Sequence, residues 1–263
     1  MKITVLLENT AASETVTAEH GLSLFIETES SKILFDMGQT DAFSKNAQAL
    51  GIHPASADCA VLSHGHYDHG GGLAEFFRLN HSAPVYLSPF AFEPHYSAKY
   101  IGLDRELEHN PRLMRITQTT EILPGVTLFP AIPCRYPIVS YGLTMEQNGI
   151  RSDEDFRHEQ YMMIEECGRK ILFSGCSHRG ILNIADYFRQ EYGVDTIIGG
   201  FHFTKLDPLG DGRTVLDESA NLLMHTGMKF FTCHCTGEVQ TAYLHSLMGE
   251  QLTAIRCGDT FEI

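Results

Sequence analysis

Three imidazoles and a carboxylate fall within six residues, His64-Gly65-His66-Tyr67-Asp68-His69. Imidazole together with carboxylate is a donor set that suits zinc, iron or manganese. His64 and His66 are two apart, so an extended backbone turns both side chains to one face. Asp68 and His69 then fall on a turn and can face a second ion. Gly70-Gly71-Gly72 follow and let the chain bend sharply past the site. The plain alternative is a histidine-rich surface loop that binds metal adventitiously. The apolar run Cys59-Ala60-Val61-Leu62-Ser63 before the motif and the glycines after it argue instead for a strand, a ligand loop and a turn.

Other residues sit where a side chain can reach a cleft. His234 follows the apolar Phe230-Phe231-Thr232 and precedes Gly237; a buried histidine satisfied by backbone is the alternative. His178 lies just past a strand end, between Gly175 and Gly180. His202 follows Gly199-Gly200 and could bind substrate, donate to a leaving group or orient a ligand; a structural histidine is the other reading. Arg179 and Lys205 lie beside candidate ligands and could clamp an anion, arginine being the better partner for phosphate. Either could equally be a solvated surface charge. Asp36 is expected at the cleft mouth, holding a ligand histidine by a hydrogen bond. Tyr67 is expected to point away from the ions. Cys233 and Cys235 flank His234 and, in an extended chain, pack on the opposite face.

The elements that position these residues follow from periodicity. Strands are expected at 3–7, at 22–27 and 32–36 as a hairpin, at 59–63, 85–87 and 126–129, and at 160–165 with 170–174 as a second hairpin turning at Gly168. Further strands are expected at 196–198, 229–232 and 252–256. Helices are expected from a cap at Asp41 to Leu50, at 73–79, at 181–192, at 215–225 and at 237–248. Residues 89–117 and 134–157 lack periodicity and read as irregular insertions, either binding loops or lids or decoration used in dimer packing. His95 falls in the first, and His158 just follows the second. The whole chain, 1–263, reads as one α/β domain.

The pattern H-x-H-x-D-H after a buried strand resembles the metallo-β-lactamase superfamily. Ile171-Leu172-Phe173-Ser174-Gly175 is similar to the superfamily strand that ends at a metal ligand. Cys176-Ser177-His178-Arg179-Gly180, Gly199-Gly200-Phe201-His202-Phe203 and Cys233-His234-Cys235-Thr236-Gly237 resemble one branch, the dihydropterin methyl-(ribofuranosyl)aminobenzene phosphate synthase-like hydrolases. The resemblance implies a four-layer αββα sandwich. It implies a ligand role for His234 at a second metal, with Asp68 and His69, and a first metal held by His64 and His66. Many members take a third histidine for that first metal from an earlier loop. Residues 130–140 contain Arg135 and Tyr136 but no histidine, so His178 is expected to take over. The familiar strand ends Gly-Asp, the aspartate bridging both ions; here it ends Gly175-Cys176. Cys176 could ligate zinc as a thiolate at about 2.3 Å or remain a buried thiol.

Two such ions, zinc first with manganese or iron as alternatives, would activate a shared hydroxide at neutral pH, with Asp68 binding one ion and orienting the nucleophile. The resulting expectation is a metal-dependent hydrolase of a small, phosphorylated or pterin-like substrate, held in part by His202 and Arg179. A phosphodiesterase of a small nucleotide and a ligand sensor without turnover are the alternatives. Net charge is −14, which speaks against binding long nucleic acid. The seven cysteines include no C-x-x-C pair, so a disulfide scaffold is not expected. The first residues, Met1 to Asn9, read as a strand rather than a signal peptide. No run is long enough to span a membrane. A cytoplasmic protein, with a homo-oligomer open to it, is expected.

Overall fold

The computed structural model describes residues 1–139 and 142–263. One sheet is built from β1 (Lys2–Leu7), β2 (Ser23–Glu27), β3 (Lys32–Phe35), β4 (Cys59–Val61) and β5 (Val85–Leu87). A short strand, β6 (His95–Tyr96), leaves it, and β7 (Leu113–Arg115) returns to its edge. The second sheet holds β8 (Thr120–Leu123) and β9 (Val126–Phe129). A hairpin, β10 (Thr144–Gln147) and β11 (Ile150–Asp153), intervenes. The second sheet resumes with β12 (Tyr161–Glu166), β13 (Arg169–Phe173), β14 (Thr196–Ile198), β15 (Lys229–Thr232) and β16 (Leu252–Ala254). Finally β17 (Thr260–Glu262) pairs with β1. Strand orders are β17-β1-β2-β3-β4-β5-β7 and β16-β15-β14-β13-β12-β9-β8. Helices α1 (Ala42–Ala49), α2 (Tyr67–Gly70) and α3 (Leu73–Leu79) belong to the first half; α4 (Ile181–Tyr192), α5 (Arg213–Thr226) and α6 (Glu238–Met248) belong to the second.

Strand period explains the layering. Leu24, Ile26, Ile33 and Phe35 pack between the sheets against Leu128, Met162, Ile171 and Phe173. Their neighbours Phe25 and Leu34 point outward onto Phe43, Leu73 and Phe76 of α1 and α3. On the far side Tyr161, Met163 and Leu172 face Ile184, Phe188, Leu216 and Leu244 of α4, α5 and α6. Alternate residues thus fill successive cores, and the result is the four-layer αββα sandwich. In the second sheet β13, β14, β15 and β16 run parallel, each joined to the next by a helix as parallel pairing requires. The β12–β13 hairpin closes through Cys167 and Gly168 at φ 51° and 75°, the left-handed pair of a tight two-residue turn. Among the described residues no helix is long and apolar enough to cross a membrane.

Three expectations need correction. Asp41 occupies the cap position of α1, but its side chain accepts from no helix N–H. It pairs with Lys45 at 2.8 Å, while Thr40 Oγ1 accepts from Ala42 N. Residues 89–117 and 134–157 are not irregular throughout: β6 pairs with β10, and β10 with β11, in a third sheet. Periodicity missed it because β11 is exposed at every residue and β6 is two residues long. Residues 140 and 141, within the second stretch, lie outside the described residues. Strands β8 and β17 were not anticipated, their residues being half-exposed at the sheet edges.

The close approach of β14 to β13 gives a test. Gly199 has φ +153°, and a Cβ there would lie 1.8 Å from Ser174 O. Gly199→Ala is expected to destabilise the fold by about 2–4 kcal/mol. Urea unfolding measures this, and an unshifted midpoint with an unchanged slope would contradict the packing described.

Candidate metal centre

The centre lies at the carboxyl ends of β3, β4, β13, β14 and β15, where open α/β sheets place their ligands. Four non-glycine residues beyond those ends, Asp36, Ser177, His202 and His234, adopt φ between 51° and 58°. Such conformations cost energy and mark positions where the fold turns a side chain against backbone preference.

Asp36 organises the first group. Its carboxylate accepts from Ser63 N (2.7 Å), Ser63 Oγ (2.7 Å) and His69 Nδ1 (2.6 Å). The His69 proton therefore sits on Nδ1, and its Nε2 lone pair faces Cys176 Sγ at 3.1 Å. Burial opposes charge on His69, but Asp36 outweighs it and raises the imidazole. Because Ser63 Oγ donates to Asp36, it accepts from His64 Nδ1 at 2.9 Å. His64 Nε2 is then also a lone pair, 3.3 Å from His178 Nε2. Two nitrogens about 2.1 Å from a tetrahedral ion stand about 3.4 Å apart, so this spacing fits a shared cation. Burial holds both imidazoles well below their usual pKa, in the neutral, ligating form.

His234 is aimed in the same way. Glu8 Oε1 accepts from its backbone N at 2.6 Å. Asn9 Oδ1, which accepts from Gly21 N, lies 2.8 Å from His234 Nδ1. The proton is on Nδ1, and Nε2 faces Asp68 Oδ2 at 3.2 Å. Burial lowers His234 to about 4. Asp68 is held well below the carboxylate range: burial pushes it up, but His20 and His234 prevail. A lone pair in contact with a carboxylate is again a place for a cation. Burial, then Cys235 and Asp68, push the Cys176 thiol up, and a divalent cation is the neighbour that would reverse this. Donor chemistry and geometry thus fit divalent metal in two ligand groups, His64–Cys176–His178 and His69–Cys176–His234, with Asp68 beside the second.

The expected trio of His64, His66 and His178 comes together, with ring centroids 4.6 Å apart for His64 and His66 and 4.8 Å apart for His178 and each of them. His66 also lies beside His95, Glu154 and His158, its ring 4.9 Å from that of His158. His178 is placed by its backbone N, which donates to Glu159 Oε1 at 2.6 Å, and by Phe156, stacked on its ring at 5.0 Å. Asp36 is not at the cleft mouth but wholly buried. His234 begins a turn of 3-10 helix rather than lying extended, so Cys235 comes close to Cys176, with Sγ 3.5 Å from its carbonyl oxygen. Arg179 is not placed as a substrate clamp. Its guanidinium donates to Ile132 O and Asp155 O and does not line the cavity.

That cavity, of about 1150 Å³, opens beside the second ligand group, and His20, His202, Lys205, His234 and Arg256 are among its walls. Burial, aided by Lys205, lowers His202 to about 4. His20 was not anticipated: Nε2 lies 3.1 Å from Asp68 Oδ2 on a half-exposed side chain. No sequence signal marked it, since Glu19-His20-Gly21 lies in a loop far from the motif.

A family model described as the metallo-beta-lactamase superfamily matches residues 16–143. An uncharacterised protein of Methanocaldococcus jannaschii, MJ0448, is 27% identical over 241 residues, covering 89% of this chain and 90% of its own. The 7,8-dihydropterin-6-methyl-4-(beta-D-ribofuranosyl)-aminobenzene-5'-phosphate synthase of the same organism is 29% identical over 246 residues, covering 84% and 82%. The crystal structure of Tm1679, a metal-dependent hydrolase of the beta-lactamase superfamily, superposes with a TM-score of 0.86 at 28% identity, over 100% of this chain and 99% of that one.

The Asp36 network is testable through metal affinity. Asp36→Asn is expected to weaken metal binding about 10–100-fold, because the His69 tautomer is no longer enforced. Chelator competition on the folded variant measures it; wild-type affinity would remove Asp36 from this role.

Proposed function

Since the chain belongs to the metallo-β-lactamase superfamily and has the fold of its metal-dependent hydrolases, we propose that it hydrolyses a small phosphorylated, pterin-like molecule at a centre of two divalent ions, zinc in the first instance. The observation that carries this reading is the 1150 Å³ cavity against His234 and His20. It is larger than the usual small-ligand pocket of roughly 300–1,000 Å³, so a multi-ring molecule fits. Lys205 and Arg256 on its walls supply positive charge for a phosphate. The name of the Methanocaldococcus relative, with its dihydropterin and ribofuranosyl phosphate, supports the same substrate class.

Each residue then has a task. His64, His66 and His178 would hold one ion; His69, His234 and Asp68 would hold the other. Cys176 belongs to both ligand groups, so as a thiolate it would contribute a ligand at the position where the resembled strand carries aspartate. Bound divalent ions of this kind bring the pKa of water towards neutrality and stabilise charge on an attacked group. Asp68, in contact with His20 and His234, would orient the attacking water. His20, on Asp68 and facing the cavity, is placed to pass a proton between the centre and the leaving group. His202, neutral and 4.5 Å ring to ring from His178, contacts the substrate near the first ion.

Purified protein, loaded with zinc, manganese or iron, is assayed against phosphomonoester, phosphodiester, thioester, lactone and β-lactam substrates. Chelator-sensitive turnover of a phosphate ester is expected. Asp68→Ala should lower it at least about a hundredfold with an unchanged circular dichroism spectrum. Full activity in that variant would sink the mechanism, and metal-bound protein that binds a pterin phosphate without turnover would make the chain a ligand sensor. Cys176→Ser is expected to lower bound-metal content; an unchanged content would remove Cys176 from the ligand set.

A further inference from the structure

One wall of the cavity is the edge strand of the second sheet, which the two-ion centre does not use. β16 ends that sheet and pairs only with β15. Ala254 is level with Thr232, and Ile255 N donates to Thr232 O at 3.0 Å. Successive backbone groups of a strand point in opposite directions. Thr253 and the Ile255 N–H therefore face β15, while Leu252, Ala254 and Arg256 turn their backbone groups away from it. Leu252 O accepts from His245 Nδ1 at 2.8 Å, and Arg256 N donates to Asp259 Oδ2 at 2.8 Å. Between those two, the N–H and C=O of Ala254 have no hydrogen-bond partner among the described residues. Ala254 is exposed, and it lines the cavity of about 1150 Å³.

An open sheet edge recognises whatever presents the complementary row of groups. Here the row is one residue long. A peptide strand would need the bonds that Leu252 O and Arg256 N already make, so a further strand does not fit. One donor beside one acceptor matches instead a flat ring with an acceptor nitrogen next to an N–H. Small side chains leave room for such a ring, since Ala11, Ala242 and Ala254 itself line the cavity. Thr232, level with Ala254, stands two residues before His234. A strand spacing of about 4.8 Å and a rise of about 3.3 Å per residue put Ala254 roughly 8 Å from that ligand. A ring held at the edge thus leaves the rest of the molecule to reach the ions.

We infer that Ala254 reads the heterocycle of the substrate. Its N–H donates to a ring nitrogen, and its C=O accepts from the adjacent amino group. The inference rests on the pterin-like reading of the substrate, since a pterin carries its amino group next to a ring nitrogen. Ala254 sets specificity for the ring and takes no part in breaking the bond.

Full-length, zinc-loaded protein, isotopically labelled at its alanine nitrogens, is titrated with pterin and separately with inorganic phosphate. The Ala254 amide signal, identified as the one absent from Ala254→Ser, is expected to move with pterin and to stay in place with phosphate. Quenched pterin fluorescence with that signal unmoved would overturn the proposal, and so would a failure of pterin to bind. Ala254→Pro removes the N–H, and a strand edge tolerates proline where the N–H faces outward. It should weaken pterin binding about tenfold, while Ala254→Ser, which keeps both backbone groups, should bind as the wild type does. Wild-type affinity in the folded proline variant would count against the proposal; if that variant does not fold, the wild-type titration decides alone. Turnover of a phosphate ester with an unmoved Ala254 signal would remove this inference and leave the hydrolase reading standing. A moved signal without turnover would do the reverse.

Discussion

The Asp36 carboxylate has no exposure to solvent, and its side-chain bonds go to Ser63 and His69. A charge in that position persists only if every lone pair finds a donor. Meeting that demand fixes the end of β4 against the end of β3, since Ser63 must present both its N–H and its hydroxyl. It also fixes the proton positions of His64 and His69 in one stroke: one imidazole donates to the serine, the other to the carboxylate. The inward nitrogens of both rings are bare as a consequence. Strand pairing, histidine tautomer and metal-binding capacity are therefore one constraint seen at three levels.

The same logic is repeated around the cleft with different partners. Glu159 holds the backbone of His178 and accepts from Arg179 N and Tyr161 OH; Glu8 holds the backbone of His234; Glu154 holds the ring of His95. The strand ends are bent into left-handed backbone at Asp36, His202 and His234, which no side chain there favours. Regular sheets on either side supply the rigidity that keeps those conformations in place. Glycines appear where the chain crosses itself closely, as at Gly175, whose Cβ would meet Ser63 Oγ at 2.2 Å. A methyl group at that point would separate the β4 loop from the β13 loop and pull the two ligand groups apart.

How much of this was legible in the chain depended on whether the signal was local. The H-x-H-x-D-H run and the strand-end glycines are contiguous, and the sandwich's strands carry a clean period of two, so the fold and the residues that meet at the centre could be read. Cys176 and His178 follow directly on a strand with that period. His95, Glu154 and His158 could not be read as a set, because 59 residues separate the first two and the pairing of β6 with β10 that unites them involves a two-residue strand. His20 reaches Asp68 across a similar gap. Arg179 misled for a related reason: proximity to His178 in sequence says nothing of where a long side chain goes, and two of its guanidinium nitrogens donate to backbone carbonyls away from the cavity. The two-residue rule did place His66 beside His64: His66 keeps extended backbone before α2, and the two rings lie 4.6 Å apart.

Charge balance ties these observations together. Among the described residues five carboxylates are buried, Glu8, Asp36, Asp68, Glu154 and Glu159, and no lysine or arginine is. All five contact a histidine of the centre or its backbone. Burial holds the imidazoles of His64, His66, His158 and His178 in the neutral form, so they do not supply the missing positive charge. Burying even one uncompensated carboxylate costs several kcal/mol, and Glu159 is already raised, chiefly by burial. Five around one cleft make sense in a folded chain when cations are part of the fold. Metal here would be both the means of chemistry and a counter-charge that the protein's own lysines and arginines, kept at its surface and cavity walls, do not provide.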